Sequence, residues 1–265
     1  MPPIEINGQT VSDVQVNGQS VDEVTANGQT VFTAIPNSVI YQTTTPIDGL
    51  TDNDSVQNWP AEIGADIDGS GLTYRESSMG DFDTVDGDGV DDNGTTSFAW
   101  GSERGQCAFE FTIKTTTADL SAYSAIIDGD KRFQILLNST GGVSSSEGNT
   151  GLQIQDDSGN RFGFDISTDI YDGNPHTVSF AADALNGNFR AVVDGSEVSG
   201  TIRDDEGMSG FSDFNLDYPF WARNFDGDLD LFSEFETTEF RIHEGFIDVS
   251  TMKNTIHDKY PWSSQ

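Results

Sequence analysis

Turn chemistry limits the folds open to this chain more than its apolar content does. From residue 95 onward, stretches such as AFEFTIKTT (108–116), RFQILLN (132–138), HTVSFAAD (176–183), FRAVVDGSEV (189–198) and EFRIHEGFI (239–247) alternate or run apolar for four to eight residues. Between them lie DGDK, STGG, YDGNP and DGSE, whose Gly, Asp, Asn and Pro supply the backbone angles of tight reversals. Strands of that length, 8 to 15 residues apart and with no long helical pattern, predict an all-β antiparallel sandwich or jelly roll. The single helical candidate is DVSTMKNTIHDKY (248–260), with Ser250 or Thr251 as N-cap before Met252 and Ile256.

Upstream the pattern thins. Residues 36–94 are rich in Asp, Gly, Ser and Thr with single apolar residues between them. Short strands are expected at Val39–Gln42 and Leu72–Arg75, with ordered loop elsewhere and no sharp boundary.

The first 35 residues are different again. Ile6-Asn7-Gly8-Gln9-Thr10-Val11 returns as Val16-Asn17-Gly18-Gln19-Ser20-Val21 and as Ala26-Asn27-Gly28-Gln29-Thr30-Val31. Asn-Gly favours a two-residue type I′ turn, which pairs Val16 with Gln19 and Val14 with Val21. Each ten-residue phrase is then one up-and-down step, and Ile6, Val11, Val14, Val16, Val21, Val24 and Val31 form an apolar stripe. A two-stranded ribbon cannot bury such a stripe alone, so these residues are the expected oligomerisation contacts. The alternative is an acidic linker. The expected division is residues 1–35 as repeat segment and 36–265 as head.

Charge narrows the function classes. Acidic residues outnumber basic ones 45 to 12, for a formal net charge of -33 over 265 residues. That excludes nucleic-acid binding by phosphate neutralisation, which needs clustered Lys and Arg. Aromatic content of 11%, led by 18 Phe, argues for a folded chain despite the charge. Self-repulsion on this scale opposes compaction. In molar salt the Debye length shrinks to ~3 Å and the repulsion largely disappears. The composition reads as adaptation to very high salt, or else as a module whose charge is neutralised by bound calcium. Cys107 is the single cysteine, so no disulfide can form within the chain. No apolar run approaches the ~18 residues of a membrane span, and membrane insertion is not expected. MPPIEINGQTV lacks the basic and apolar regions of a signal peptide. The protein is therefore expected to be made in the cytoplasm and to leave, if it leaves, by a route such as viral lysis.

Three stretches carry a family resemblance. YDGNPHTVSFAAD (171–183), FRAVVDGSEVSG (189–200) and NFDGDLDLFSEFETTEFRIHEGFIDVSTMKNTIHDKY (224–260) resemble, in order, segments of laminin-G-like, concanavalin-A-like jelly rolls. The likeness covers roughly residues 95 to 262 and implies the fold. It leaves the function open, because such folds host adhesins, lectins and enzymes.

Within this fold a retaining glycosidase needs two carboxylates about 5–5.5 Å apart. The signature is two Glu on one strand framing an Asp, and GDLDLFSEFE puts Asp228, Asp230 and Ser233 where Glu, Asp and Glu would be wanted. The acid position holds a hydroxyl that cannot protonate a leaving group at neutral pH. No other catalytic motif is present, so a non-enzymatic role is expected. His176 is expected to bond a neighbouring loop, and His243 and His257 are too isolated in sequence to form a ligand set. Trp100, Trp221 and Trp262 read as packing residues more readily than as sugar platforms, and Trp59 as either.

For metal, DFDTVDGDGVDDNG (81–94) gathers Asp83, Asp86, Asp88, Asp91 and Asp92, oxygen donors of the kind structural Ca²⁺ or Mg²⁺ takes. It has no Glu at the twelfth position of an EF-hand, and a solvated acidic loop is the alternative. The laminin-G-like resemblance, whose members often hold Ca²⁺ at a sheet rim, adds Asp128, Asp130 and Asp226. Receptor contact is expected at FSDFNLDYPF (211–220), through Phe211, Phe214, Tyr218 and Phe220, if the stretch is a rim loop. A strand packed in the core is the competing reading.

Taken together, the Asn-Gly-Gln-Thr-Val repeats, the acidic composition and the laminin-G-like head resemble the attachment proteins of tailed viruses infecting haloarchaea. That resemblance implies a location on the virion surface and a homo-oligomer, trimeric as a tail fibre or pentameric as a capsid decoration. It also implies contacts with other virion proteins through the N-terminus and a head that binds host S-layer glycoprotein or surface glycan. A purely structural decoration protein and a cellular halophilic lectin-like protein are the alternatives.

Overall fold

A computed structural model describes strand residues 5–6, 9–10, 14–16, 19–21, 23–26 and 29–33. It further describes residues 39–265 apart from 101, 121–123, 130–131, 138–149, 167, 213, 226–227, 231, 261 and 263–265. The chain divides into two compact units, residues 1–39 and 40–265.

In the first unit β1 (Glu5–Ile6) pairs with β2 (Gln9–Thr10), β3 (Val14–Val16) with β4 (Gln19–Val21), and β5 (Glu23–Ala26) with β6 (Gln29–Thr33). Each pair is a separate two-stranded sheet. The closing pairs Ile6↔Gln9, Val16↔Gln19 and Ala26↔Gln29 repeat one register, and Val14 stands opposite Val21. The third hairpin departs from it. Val24 pairs with Phe32 and Thr25 with Thr30, so Val31 is the extra residue of a bulge. Val11 and the three Asn-Gly turns lie outside the described residues.

The second unit opens with β7 (Val39–Thr44), β8 (Asn58–Trp59), β9 (Ala61–Ile63), β10 (Ile67–Ser70), β11 (Thr73–Met79), β12 (Phe82–Asp88) and β13 (Asn93–Trp100). Residues 36–94, expected to be mostly loop, thus supply six strands and the start of a seventh. The expected strand Leu72–Arg75 overlaps β11, which begins at Thr73. Several of these strands are too short, or too dense in Asp and Gly, for a period of two to stand out. Then follow β14 (Gln106–Ile113), β15 (Ser124–Asp128), β16 (Phe133–Leu137), β17 (Thr150–Gln155), β18 (Arg161–Ile166), β19 (His176–Asp183), β20 (Asn188–Val193), β21 (Ser196–Glu197) and β22 (Gly200–Asp205). The last strands are β23 (Phe214–Phe220), β24 (Arg223–Phe225), β25 (Asp228–Asp230), β26 (Glu234–Thr237) and β27 (Glu239–Glu244). FSDFNLDYPF is therefore chiefly strand: β23 pairs with β13 at seven positions, and Pro219, which cannot donate to a ladder, disguises it.

Two large sheets make the sandwich. One has the order β22-β18-β17-β16-β15-β23-β13-β10-β8 and the other β21-β20-β19-β14-β27-β7-β9, with β11-β12-β26 as a third, smaller sheet. This is an all-β antiparallel jelly-roll sandwich. The core lies between the sheets, where alternation turns Phe109, Phe111, Val178, Phe180, Phe240 and Ile242 of one toward the other. Phe109 stacks on Phe133 at 5.5 Å between centroids, and Phe164–Phe180 and Phe220–Phe240 meet edge to face at 5.4 and 4.9 Å. Each fully buried Phe contributes roughly 1.5–3 kcal/mol by area alone.

The outer face of the seven-stranded sheet is covered too. Ala108, Ala181 and Val192 pack on Met252 of a short helix α1 (Val249–Met252), which runs into a π-type turn at Lys253–His257. Its N-cap is Asp248, whose carboxylate accepts from the Thr251 N–H at 2.9 Å. Ser250 and Thr251, the expected caps, lie inside the first turn. Asp248 is preferred because its carboxylate carries full charge toward the free N–H groups.

Candidate functional site

At one edge of the nine-stranded sheet, Asp68 of β10 stands between Asn58 of β8 and Thr95 of β13. Alternation sends their neighbours inward. Trp59 and Ile67 are fully buried, and the Trp59 indole donates to the Thr44 carbonyl at 2.8 Å. Trp59 is thus a packing residue.

On the other face, Asn58, Asp68, Thr95 and Ser97, together with Asp66 from the turn before β10, surround an open groove of about 330 Å³. Asp66 is oriented from the protein side. Its Oδ1 accepts from the Ala61 N–H at 2.9 Å and its Oδ2 from Asn58 Nδ2 at 3.2 Å. The Asp68 carboxylate and the Ser97 hydroxyl have no bonding partner among the described residues, and both side chains are exposed. The lining contains no Lys, Arg, His, Cys or aromatic side chain. Sequence reading missed this groove because strands of two and four residues leave almost no periodicity to detect.

The acidic stretch does not converge as a whole. Asp88, Asp91 and Asp92 bring carboxylate oxygens within 4.8 Å of one another. Turn bonds account for much of that arrangement: Asp88 accepts from the Val90 N–H and Asp92 from the Asp88 N–H, both at 2.8 Å. Burial raises the Asp92 carboxyl above the usual range, against the bond from Asp88. Asp83 and Asp86 are engaged elsewhere. Asp83 accepts from the Tyr74 hydroxyl at 2.6 Å, and Asp86 pairs with Arg75 at 3.0 Å. Asp128 is buried on β15, at the end of a chain in which Gln153 donates to Gln134 and Gln134 to Asp128. Asp130 and Asp226 lie outside the described residues.

Of the aromatic candidates, Phe211 sits half-buried in a rim. The Arg104 guanidinium lies 5.1 Å from its ring centroid, and Asp157 pairs with both Arg104 and Arg132 at 3.1 Å. Phe220 is 1% exposed and belongs to the core, not to a contact surface. Phe214 and Tyr218 lie on β23, and their side chains fall outside the described residues. Ser233 is fully buried and its hydroxyl accepts from the Ala125 N–H at 2.8 Å, a structural use. Trp221 stacks on Phe235 at 5.1 Å, while Trp262 stacks on Tyr260 at 4.8 Å.

Sequence reading also missed a buried polar network on the outer face of the seven-stranded sheet. Glu110 of β14 stands between Ser179 of β19 and Arg241 of β27. It accepts from His243 Nε2 at 2.9 Å and from the Thr255 hydroxyl under the C-terminal turn. Glu239 binds Arg241, Lys259 and the Tyr260 hydroxyl. Burial works to raise the Glu239 carboxyl, but Arg241 and Lys259 outweigh it and hold the group at about 2. His257 shares a 2.9 Å contact with Ser179 Oγ and accepts the Gly195 N–H at Nδ1, 3.1 Å. Desolvation pushes it down to about 4, so it is neutral at pH 7. His243 and His257, isolated in sequence, therefore meet in one network. Glu110, Ser179, Glu239, His243 and His257 are buried, and the bonds made by Thr255, His257, Lys259 and Tyr260 clamp the C-terminal segment to the sheet.

No family model and no curated protein matches the chain in sequence. Solved structures do match in shape. The binding domain of Paraclostridial mosquitocidal protein 1 superposes with a TM-score of 0.58 at 11% identity, over 84% of this chain and 52% of that one. The binding domain of botulinum neurotoxin serotype G gives 0.56 at 13%, over 85% and 54%. Domain 4 of AbnA, a GH43 extracellular arabinanase from Geobacillus stearothermophilus, solved in complex with arabinotriose, gives 0.53 at 16%, over 84% and 98%. The chain spans about half the length of the toxin binding domains it matches, and nearly all of the arabinanase domain. At these identities the likeness is one of fold.

Proposed function

We propose that this chain is a non-enzymatic adhesion protein of a virion surface, whose jelly-roll head attaches a halophilic archaeal virus to the glycoprotein or glycan of its host's envelope. The observation that carries the binding role is the edge groove. It is open, lined by hydrogen-bonding groups, and free of His, Cys and Lys among its lining residues. The shared fold supports the same role, since the similar modules include toxin binding domains and one domain solved with a bound oligosaccharide. The viral setting rests on the repeat and on the acidic composition. In this reading residues 1–35 join copies of the chain to one another and to other virion proteins, and weak head contacts add up by multivalency.

The test is adsorption of purified, fluorescently labelled protein to haloarchaeal cells and isolated S-layer in molar KCl. Saturable binding that competes with virus adsorption is expected. A protein that reaches neither surface is not an attachment protein, and a purely structural decoration role would replace this one.

A further inference from the structure

We infer that the groove at the β8–β10–β13 edge takes a neutral sugar through adjacent hydroxyl groups, a specificity that rests on the binding role proposed above. Asp66 anchors the groove. An ionised carboxylate accepts at about four lone-pair sites. One on each oxygen is taken from the protein side, by the Ala61 N–H and by Asn58 Nδ2. An acceptor site remains on each oxygen of a carboxylate fixed by those two bonds, enough to take two hydroxyl donors.

Asp68, in register beside Asn58 and Thr95, adds a second carboxylate with no partner among the described residues. Asn58 spends one amide N–H on Asp66, which leaves its carbonyl oxygen as another acceptor and its second N–H as a single donor. The Thr95 and Ser97 hydroxyls can both donate and accept. The groove therefore mostly asks its ligand to donate, with hydroxyls at hand to answer ring and linkage oxygens.

Other ligand classes fit less well. A uronate or sulfate would face Asp66 and Asp68 with no Lys, Arg or His among the lining residues to answer it. Salt screens the long-range repulsion but does not supply the missing cationic donor. A divalent ion would need further ligands, and neither carboxylate belongs to a convergent group of three among the described residues. At about 330 Å³ the groove lies near the low end of small-molecule sites, ~300–1,000 Å³. Without an aromatic platform in its lining, each site would bind weakly, as suits a multivalent attachment protein.

The experiment uses the full chain in molar KCl on an array of neutral oligosaccharides of pentoses, hexoses and N-acetylhexosamines, with oligogalacturonate and chitosan oligomers as charged probes. At least one neutral probe is expected to bind, and the charged ones not. Asp66→Asn, which keeps the shape but removes the charge, is expected to weaken binding by about tenfold, the worth of one hydrogen bond to a charged group. Ser97→Phe fills the groove from an exposed position and should abolish binding without affecting the fold. Asp258→Asn, remote on the C-terminal turn, should bind as the parent does.

Three results overturn the inference: no neutral probe bound, a preference for a charged probe, or unchanged binding by Ser97→Phe. Cell adsorption measured in parallel separates the two readings. If the parent and Ser97→Phe adsorb equally, the groove fails and adhesion stands. If neutral glycan binds in the groove but cells are not adsorbed, adhesion fails and the groove stands.

Discussion

A carboxylate with no exposed surface keeps its charge only if that charge is answered on the spot. Glu239 is answered by Arg241, Lys259, Gln42 and Tyr260. His257 shows the opposite response to burial. With no carboxylate bonded directly to its ring, it gives up its proton instead, down to about 4 from an ordinary 6.5. The depressed value means that the unfolded chain binds the proton more tightly than the native one. The stability contributed by neutral His257 is present in full above pH 6.5 and is lost as pH falls toward 4, a difference on the order of 3 kcal/mol across that window. His176 has the reverse sign. Burial lowers it, but Asp194 at 2.7 Å and Asp172 at 3.1 Å raise it further, so its contribution is present below pH 6.5 and fades as pH rises through its folded value. Thermal melts in molar salt at pH 7 and pH 4.5 are expected to separate further for the parent than for His257→Gln. Equal separation would mean that His257 does not titrate across folding. The His176 bond was legible, because Asp172-Gly173 and Asp194-Gly195 announce turns beside it. The His257 network was not, because Glu110, Ser179 and His257 are 69 and 78 positions apart and meet through strand pairing and a docked turn.

Among elements, those with locally determined turns read most clearly from sequence. The register of the first two hairpins follows from Asn-Gly and two-residue loop geometry. The bulge that displaces Val31 does not follow from the turn, since all three repeats share the same Asn-Gly. Isolated two-stranded hairpins are marginally stable in water, which is the physical case for their completion by other copies. Deleting residues 1–35 is expected to leave a monomeric head with an unchanged melting temperature while the full chain is oligomeric. Light scattering checks it, and a truncated head that still assembles would place the oligomer contacts elsewhere. β23 illustrates the opposite difficulty. Its proline and uneven alternation point to a rim, yet seven paired positions make it an interior strand of the nine-stranded sheet, and Phe220 turns into the core.

For the whole molecule, the net charge of -33 predicts a stability that depends on ionic strength. Raising KCl from about 0.1 M to 2 M shortens the Debye length from ~10 Å to below 3 Å, and the melting temperature is expected to climb steeply across that range. A temperature independent of salt would remove the halophilic reading. The all-β class, the antiparallel strands from residue 95 onward and a helical C-terminal segment were legible because period-two patterning and turn residues are local properties of the chain. Which carboxylates meet was not. Asp83, Asp86, Asp88, Asp91 and Asp92 look alike in a row, and only folding gave the first two partners in Tyr74 and Arg75 and left the other three together. Asn58, Asp66, Asp68 and Ser97 form one groove because β8, β10 and β13 are neighbours in a sheet. Sequence by itself determined what each segment does with its own backbone. Tertiary structure decided which distant side chains share a surface, because that depends on strand order and register, and no window of sequence contains them.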